Sequence, residues 1–172
     1  MRTPAQEPES APDDSTQFSR FARALDYPLY IVTTAVQQER TGCLIGFATQ
    51  CSIHPPRFLA CISRKNHTLP VARRARLMAV HVVDERARDL AELFGGETGD
   101  AVDKFARVKW HEEHGVPVLP ACESWFIGKI LQQLDLGDHV GFLLQPLEAE
   151  GAARASPLTY QQVRDMEPGH KP

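Results

Sequence analysis

The feature that most constrains the fold is a crowding of strand-like segments between Tyr30 and Ser63, with no helical periodicity among them. Tyr30 to Val36 is β-branched and aromatic, and Gln37 to Gly42 reads as a polar turn. Cys43 to Ser52 reads as a second strand, loosened by Gly46. His54-Pro55-Pro56 then forces an extended corner, because a residue before proline is driven out of the helical region. Arg57 to Ser63 is a third, mostly buried strand.

Helices are short and peripheral. Phe18, Phe21, Ala22 and Leu25 give a brief amphipathic helix that Pro28 ends. Thr68 is placed to cap a helix running to about Leu77, with Pro70 tolerated in its first turn. Ala79 to Val83 is a fourth strand. Asp84 caps a helix carrying Ala87, Leu90, Ala91 and Phe94 on one face, closed by Gly95-Gly96. A short helix is expected over Asp100 to Ala106, and a loop over His111 to Pro120. Trp125 to Leu131 and His139 to Pro146 are two late strands joined across Gln132 to Asp138. Strands dominate and never alternate regularly with helices. The expected class is therefore mainly β: a closed antiparallel barrel of six strands with short rim helices, and no doubly wound sheet.

Length and charge narrow the function. The 172 residues suit one domain of ordinary size. Residues 1–17 form an acidic, proline-rich segment expected to be a disordered tail. Up to Thr16 it carries Glu7, Glu9, Asp13 and Asp14 against Arg2, one positive minus four negative, which equals the whole chain's net charge of -3. From Gln17 onward positive and negative charges therefore balance, and the body, residues 18–150, lacks the cationic excess of a nucleic-acid binder. Residues 151–172 hold little apolar material beyond Leu158, Tyr160, Val163 and Met166, and a partly ordered tail is expected there. No apolar run is long enough for a membrane helix, and the acidic start does not read as a secretory signal, so a cytoplasmic location is expected. Cys43, Cys51, Cys61 and Cys122 show no Cys-x-x-Cys spacing and read as buried thiols, with no structural zinc.

Several signatures are absent. The chain has no Gly-x-Gly, hence neither a dinucleotide fingerprint nor a phosphate loop of the Walker type, and no Gly-x-Ser-x-Gly elbow. His111-Glu112-Glu113-His114 has its histidines three apart instead of four and sits beside Gly115 and Pro117, which favours a solvated loop over a zinc helix; no metal site is expected.

Gly42-Cys43-Leu44-Ile45-Gly46-Phe47-Ala48-Thr49-Gln50-Cys51-Ser52-Ile53-His54-Pro55-Pro56 resembles the flavin-binding stretch of the flavin reductase family. The polar turn Ser63 to Thr68, Asp103-Lys104-Phe105, Val108-Lys109-Trp110, Gly115 to Leu119 and Gly137-Asp138-His139 follow in that family's order, over about Tyr27 to Glu150. The resemblance implies an FMN-binding split barrel, working as a homodimer with flavin between the subunits. It implies hydride transfer from NADH or NADPH to FMN or FAD, with a flavin-dependent monooxygenase as a recipient of the reduced flavin. No nucleic acid or membrane partner is implied.

The residues carry chemistry suited to this. A flavin presents a flat apolar ring, a polar edge and an anionic phosphate. Leu44, Ile45, Gly46, Phe47, Gln50, Cys51 and Ser52 offer main-chain groups to the ring edge, with Gly46 admitting close approach. Donors there would stabilise the negative charge that reduction places on the ring. Arg64, Lys65, Asn66, His67 and Thr68 gather cations and hydroxyl or amide donors before a helix start, as an anion site or as an ordinary capped turn. Lys104 and Phe105 lie beside the cofactor in this reading, although Phe105 is equally a core residue. His139, next to Asp138, is the candidate catalytic residue, orienting nicotinamide or tuning a proton transfer. The chain departs from the family where a threonine and paired serines are usual: it has Leu44, Gly46 and Phe47. FMN, FAD and a deazaflavin are all compatible with that change. So is a flavin- or deazaflavin-binding electron-transfer module without reductase turnover, and a purely structural barrel is the third reading.

Overall fold

The computed structural model describes residues 17–96, 102–151, 156–166 and 169. The expected tail over 1–17 lies, apart from Gln17, outside them. The elements in chain order are α1 (Gln17–Arg23), β1 (Tyr30–Val36), β2 (Glu39–Ile45), β3 (Ala48–Ser52), β4 (Arg57–Ser63), α2 (Thr68–Ala72) and β5 (Leu77–Val82). A 3-10 turn at Glu85–Ala87 leads into α3 (Arg88–Gly96), and a second one covers Lys104–Arg107. Then come β6 (His111–Glu113), β7 (Val116–Val118), β8 (Trp125–Asp135), β9 (His139–Glu150) and a 3-10 turn at Tyr160–Val163.

Seven strands form one antiparallel sheet in the order β2-β1-β5-β8-β9-β4-β3, and β6 and β7 form a separate two-stranded ladder. The two outermost strands of the large sheet are neighbours in sequence, separated only by Gly46 and Phe47. One bent segment therefore pairs with β1 before the bend and with β4 after it, which rolls the sheet into a barrel. At the bend Ala48 N–H donates to Gly46 O at 3.0 Å, and Cys61 N–H donates to Phe47 O at 2.9 Å. This is why six expected strands become seven: Cys43 to Ser52 is not one strand but two with different partners.

Alternation along each strand sorts the side chains into two cores. Val32, Cys43, Ile45, Ile62, Met78, Val80, Phe142 and Leu144 fill the barrel, with Leu69 and Ala72 of α2 packed against them. Ile31, on the opposite face, packs with Leu90, Phe94, Phe105 and Leu119. Leu158 and Val163 join this outer core, so residues 156–166 pack on the body; Asp84 bridges to Pro157 and Pro28 to Thr159.

Several expectations are corrected. The helix from Thr68 ends at Ala72 instead of Leu77, because Leu77 begins β5. Thr68 does not cap it: its hydroxyl bonds the Thr41 hydroxyl at 3.0 Å, while Asn66 Oδ1 accepts the Thr68 N–H at 2.9 Å. His111 to Pro120 is largely a hairpin, since β7 buries Val116 and Val118 against Ala79 and Ile127. Strands β8 and β9 run on to Asp135 and Glu150, past the ends expected from their apolar residues, because two solvated strands pair through backbone alone. The apolar side of α1 is not covered in the protomer: Phe18 and Phe21 are exposed. Cys43 and Cys122 are buried as expected, whereas Cys51 is exposed on edge strand β3.

Candidate functional site

The turn after β4 is held by its own sequence. Ser63 O accepts the Asn66 N–H, Ser63 Oγ accepts the Lys65 N–H, and Asn66 O accepts the Leu69 N–H. The backbone amides of this turn are thus largely satisfied internally, and α2 is too short to carry much dipole. Attraction for an anion must come from the side chains of Arg64, Lys65 and His67. Arg64 is also a brace. Its backbone N–H donates to Asp138 O at 2.9 Å, its Nε to Gly137 O at 2.6 Å, and its Nη2 to Asp135 at 2.5 Å. The guanidinium and the Gly137 amide hold the Asp135 carboxyl below its usual range.

This brace brings β9 against the turn. His139 pairs with Ser63 across the β4–β9 ladder. Its Nδ1 donates to Asp138 Oδ1 at 2.7 Å, a contact that lowers the Asp138 pKa. A carboxylate accepts only, so the bond fixes the tautomer and leaves Nε2 with a lone pair when the ring is neutral. The Phe47 ring, more than half exposed, lies 5.1 Å from the His139 ring and 5.9 Å from that of Tyr27, which stacks on Tyr160 at 5.0 Å. A Cβ on Gly46 would stand 2.5 Å from the Tyr27 ring, so glycine at the bend lets that ring pack against the main chain. Phe47, Arg64 and His139 therefore share one rim, where an apolar ring, a histidine and a cation are within reach of the bend in the β2–β3 segment.

The remaining candidates divide. Ile45 faces the barrel core, and Leu44 packs on Gly95, so each reaches a ligand through backbone only. Gln50 and Cys51 are exposed on β3, and Gln50 Nε2 donates to Ser52 O at 3.1 Å. Gln50 lines a different groove with Tyr30, Phe58 and Phe126, away from the rim. Lys104 is buried, its Nζ donating to Phe94 O at 3.0 Å, and Phe105 is a core residue edge-on to Phe94 and Trp110. With His67, Thr41 and Gly42, these two line a cleft of about 370 Å³ beside the start of β2. The cations after β4 thus lie between the aromatic rim and this cleft.

One buried polar residue gave no warning in the sequence beyond being a lone histidine in an apolar strand. His81 is fully buried, with Nδ1 2.9 Å from Ile31 O and Nε2 3.1 Å from Leu119 N. Leu119 N–H can only donate, so Nε2 accepts and Nδ1 carries the proton. Burial pushes the pKa down to about 4, outweighing the Ile31 carbonyl. His81 holds the Leu119 loop to β5 and β1 and stands apart from the rim.

A family model described as "Flavin reductase like domain" matches residues 22–169. The chain is 28% identical over 153 residues to the reductase component of 4-nitrophenol 4-monooxygenase/4-nitrocatechol 2-monooxygenase from Rhodococcus opacus, covering 89% of this chain and 80% of that one. It is 25% identical over 151 residues to the ferric-chelate reductase (NAD(P)H) of Archaeoglobus fulgidus, covering 86% and 89%. Among solved structures, the NADH:FAD oxidoreductase of Streptomyces globisporus superposes with a TM-score of 0.76 at 22% identity, covering 88% and 92%. That likeness extends to the fold; the matched family model extends to ancestry, and it spans both the bent β2–β3 segment and the rim that holds His139. By that match the chain is a member of the flavin reductase like domain family.

Proposed function

We propose that this chain is an NAD(P)H-dependent flavin reductase, passing hydride from NADH or NADPH to FMN or FAD. The observation that carries the reading is the rim itself: the β2–β3 bend, the cations after β4 and His139 lie together in a chain that the flavin reductase model matches over nearly its whole body. The Rhodococcus relative is the reductase component of a monooxygenase, which supports a flavin-dependent monooxygenase as the recipient of reduced flavin here.

The residues fit a flavin on two counts. The exposed Phe47 ring offers a flat apolar wall beside His139, and Arg64, Lys65 and His67 supply cationic chemistry for a phosphate one turn away. Backbone groups of Gly46 and Phe47 would hold the ring edge, and Arg64, Lys65 and His67 the phosphate. When bound, the flavin supplies the acceptor for hydride. The protein's part is to orient and to exclude water. The exposed Phe47 ring would serve both ends as an apolar wall against a bound ring, and His139, fixed by Asp138, would offer a nitrogen of defined tautomer to it. Hydride transfer demands two rings held close and no obligatory proton relay, so His139 acts on rate through alignment.

Replacing hydroxyl residues by Leu44, Gly46 and Phe47 removes side-chain donors, and this favours a diffusible flavin over a tightly held one. The absence of a nicotinamide fingerprint from the sequence is what supports the second reading, a flavin- or deazaflavin-binding carrier without turnover. We also place the protein in the cytoplasm and as a homodimer whose second subunit completes the rim; no helix among the described residues is long and apolar enough to cross a membrane. The test is NADH and NADPH oxidation followed at 340 nm with FMN or FAD added. Turnover with either pair supports the reductase. No rate above the free-flavin background, with stoichiometric yellow flavin bound, transfers the assignment to the carrier.

A further inference from the structure

We infer that Glu113, His114 and Glu148 form a binding site for a zinc ion, which clasps the tip of the β6–β7 hairpin to β9. The site is remote from the flavin rim. Along β9, Glu148 lies nine residues beyond His139, about 30 Å at the usual rise per strand residue. The inference therefore stands apart from the flavin reductase reading.

The hairpin, and not the spacing within His111-Glu112-Glu113-His114, brings the ligands together. That spacing fails on a helix, but here Glu113 ends β6 and His114 occupies the turn at φ 49. His111 takes no part, and the third ligand comes from another strand. His114 Nε2 stands 2.7 Å from Glu148 Oε2 and 3.8 Å from Glu113 Oε1. One donor atom from each residue lies within 4.8 Å of the others. Tetrahedral zinc, with bonds of about 2 Å, keeps its donors about 3.3 Å apart, so small rotations of these half-exposed side chains complete the set.

The charges call for more than a proton. Two carboxylates converge on one ring nitrogen, which has a single proton to give. Glu148 accepts it at 2.7 Å, and Glu113 stands too far away to share it. Among the described residues no lysine or arginine is ion-paired with either acid. A divalent cation answers both: the Zn–N bond forms as the Nε2 proton leaves to solvent, and the two carboxylates balance the charge. The nitrogen donor selects zinc over magnesium and calcium, which take oxygen ligands. Three protein donors leave a fourth position to water. The ion acts as a brace. Strand β7 meets the barrel through Val116 and Val118 and through the Thr33 hydroxyl on Pro117 O, and zinc adds a tie from the turn to β9.

The test is calorimetry with zinc chloride on the full-length, untagged chain after stripping with EDTA, beside Glu148→Gln, His114→Asn and Glu112→Gln. Asparagine enters the left-handed region readily, so His114→Asn removes the imidazole and spares the turn. Wild type should take up one zinc per chain, and the Kd should rise by about tenfold or more in Glu148→Gln and in His114→Asn. Glu112→Gln, beside the cluster but outside it, should leave the Kd within about twofold. Thermal melting gives a second readout: zinc at about a hundred times its Kd should raise the wild-type Tm by about 5 °C and leave both ligand variants unmoved. Equal zinc affinity in wild type and both ligand variants would mean an adventitious ion only, and the site is then overturned. No uptake by wild type overturns it too, as does magnesium binding as tightly as zinc, which would reduce the cluster to an acidic patch. Flavin binding and nicotinamide oxidation are separate measurements, so failure of the reductase reading leaves the zinc titration intact.

Discussion

Acidification should unfold this protein earlier than its carboxylates alone dictate, and His81 is the reason. Both ring nitrogens are committed: Nδ1–H to Ile31 O, and Nε2 as acceptor of the Leu119 N–H. A second proton on Nε2 would face an N–H donor and place an unpaired cation in the outer core, so the folded pKa falls to about 4. In the unfolded chain it returns to about 6.5. Between those values the unfolded state binds more protons, and stability drops as the pH falls. It is fully present above about pH 6.5 and exhausted below the folded pKa. Linkage over that gap gives about 2 kcal/mol lost between pH 7.5 and pH 5, and about 3 kcal/mol in the acid limit. Urea unfolding midpoints at pH 7.5, 6 and 5, for wild type and His81→Gln, measure it. The variant should be less stable at pH 7.5 but fall by about 2 kcal/mol less than wild type on going to pH 5. Equal falls in the two proteins would refute the buried neutral imidazole. So would an NMR titration in which the His81 ring protonates near pH 6.5 in the folded state.

Other outcomes follow from the same geometry. Gly42→Ala puts a Cβ 2.9 Å from Val32 O and 3.0 Å from the Phe94 ring, in a ladder that cannot move, and should cost about 1–3 kcal/mol by urea unfolding. Gln37→Gly should stabilise by about 0.5–1 kcal/mol in the same assay, since Gln37 turns the β1–β2 hairpin at φ 56 and glycine removes the left-handed penalty. Removing the cation at Arg64 by Arg64→Gln should raise the FMN Kd about tenfold, the loss expected for a charge-assisted phosphate contact, as read by fluorescence titration. Light scattering should give twice the chain mass in the presence of flavin.

The strands around the barrel were legible where burial is one-sided: Tyr30 to Val36 and Arg57 to Ser63 appear with the ends that the residues announce. The bend was not. Gly46 signals a weakness in a strand, but only the partners on either side tell that the segment changes neighbours there. The hairpin over 111–118 was hidden because Pro117 and Gly115 read as loop residues, although a lone two-stranded ladder tolerates a proline and a positive φ at its turn. Gln132 and Gln133 carry no apolar alternation, so the outer part of β8 was invisible. At the site, types and order were readable: the cations after β4 and the Asp138-His139 pair do meet. What composition could not reveal is division of labour. Lys104 points its ammonium at carbonyls of α3 and β2, and Gln50 belongs to another groove.

The bent segment has a consequence for how the barrel tolerates change in length. Because residues 39–45 and 48–52 are stitched to opposite flanks of the sheet by one uninterrupted piece of main chain, the circumference is set by the two residues between them. Adding or deleting one residue there would put Ala48 to Ser52 out of phase with β4, exchanging inward and outward side chains along that whole edge. Insertions should be accepted at the 137 turn or beyond Glu150 and rejected at this seam.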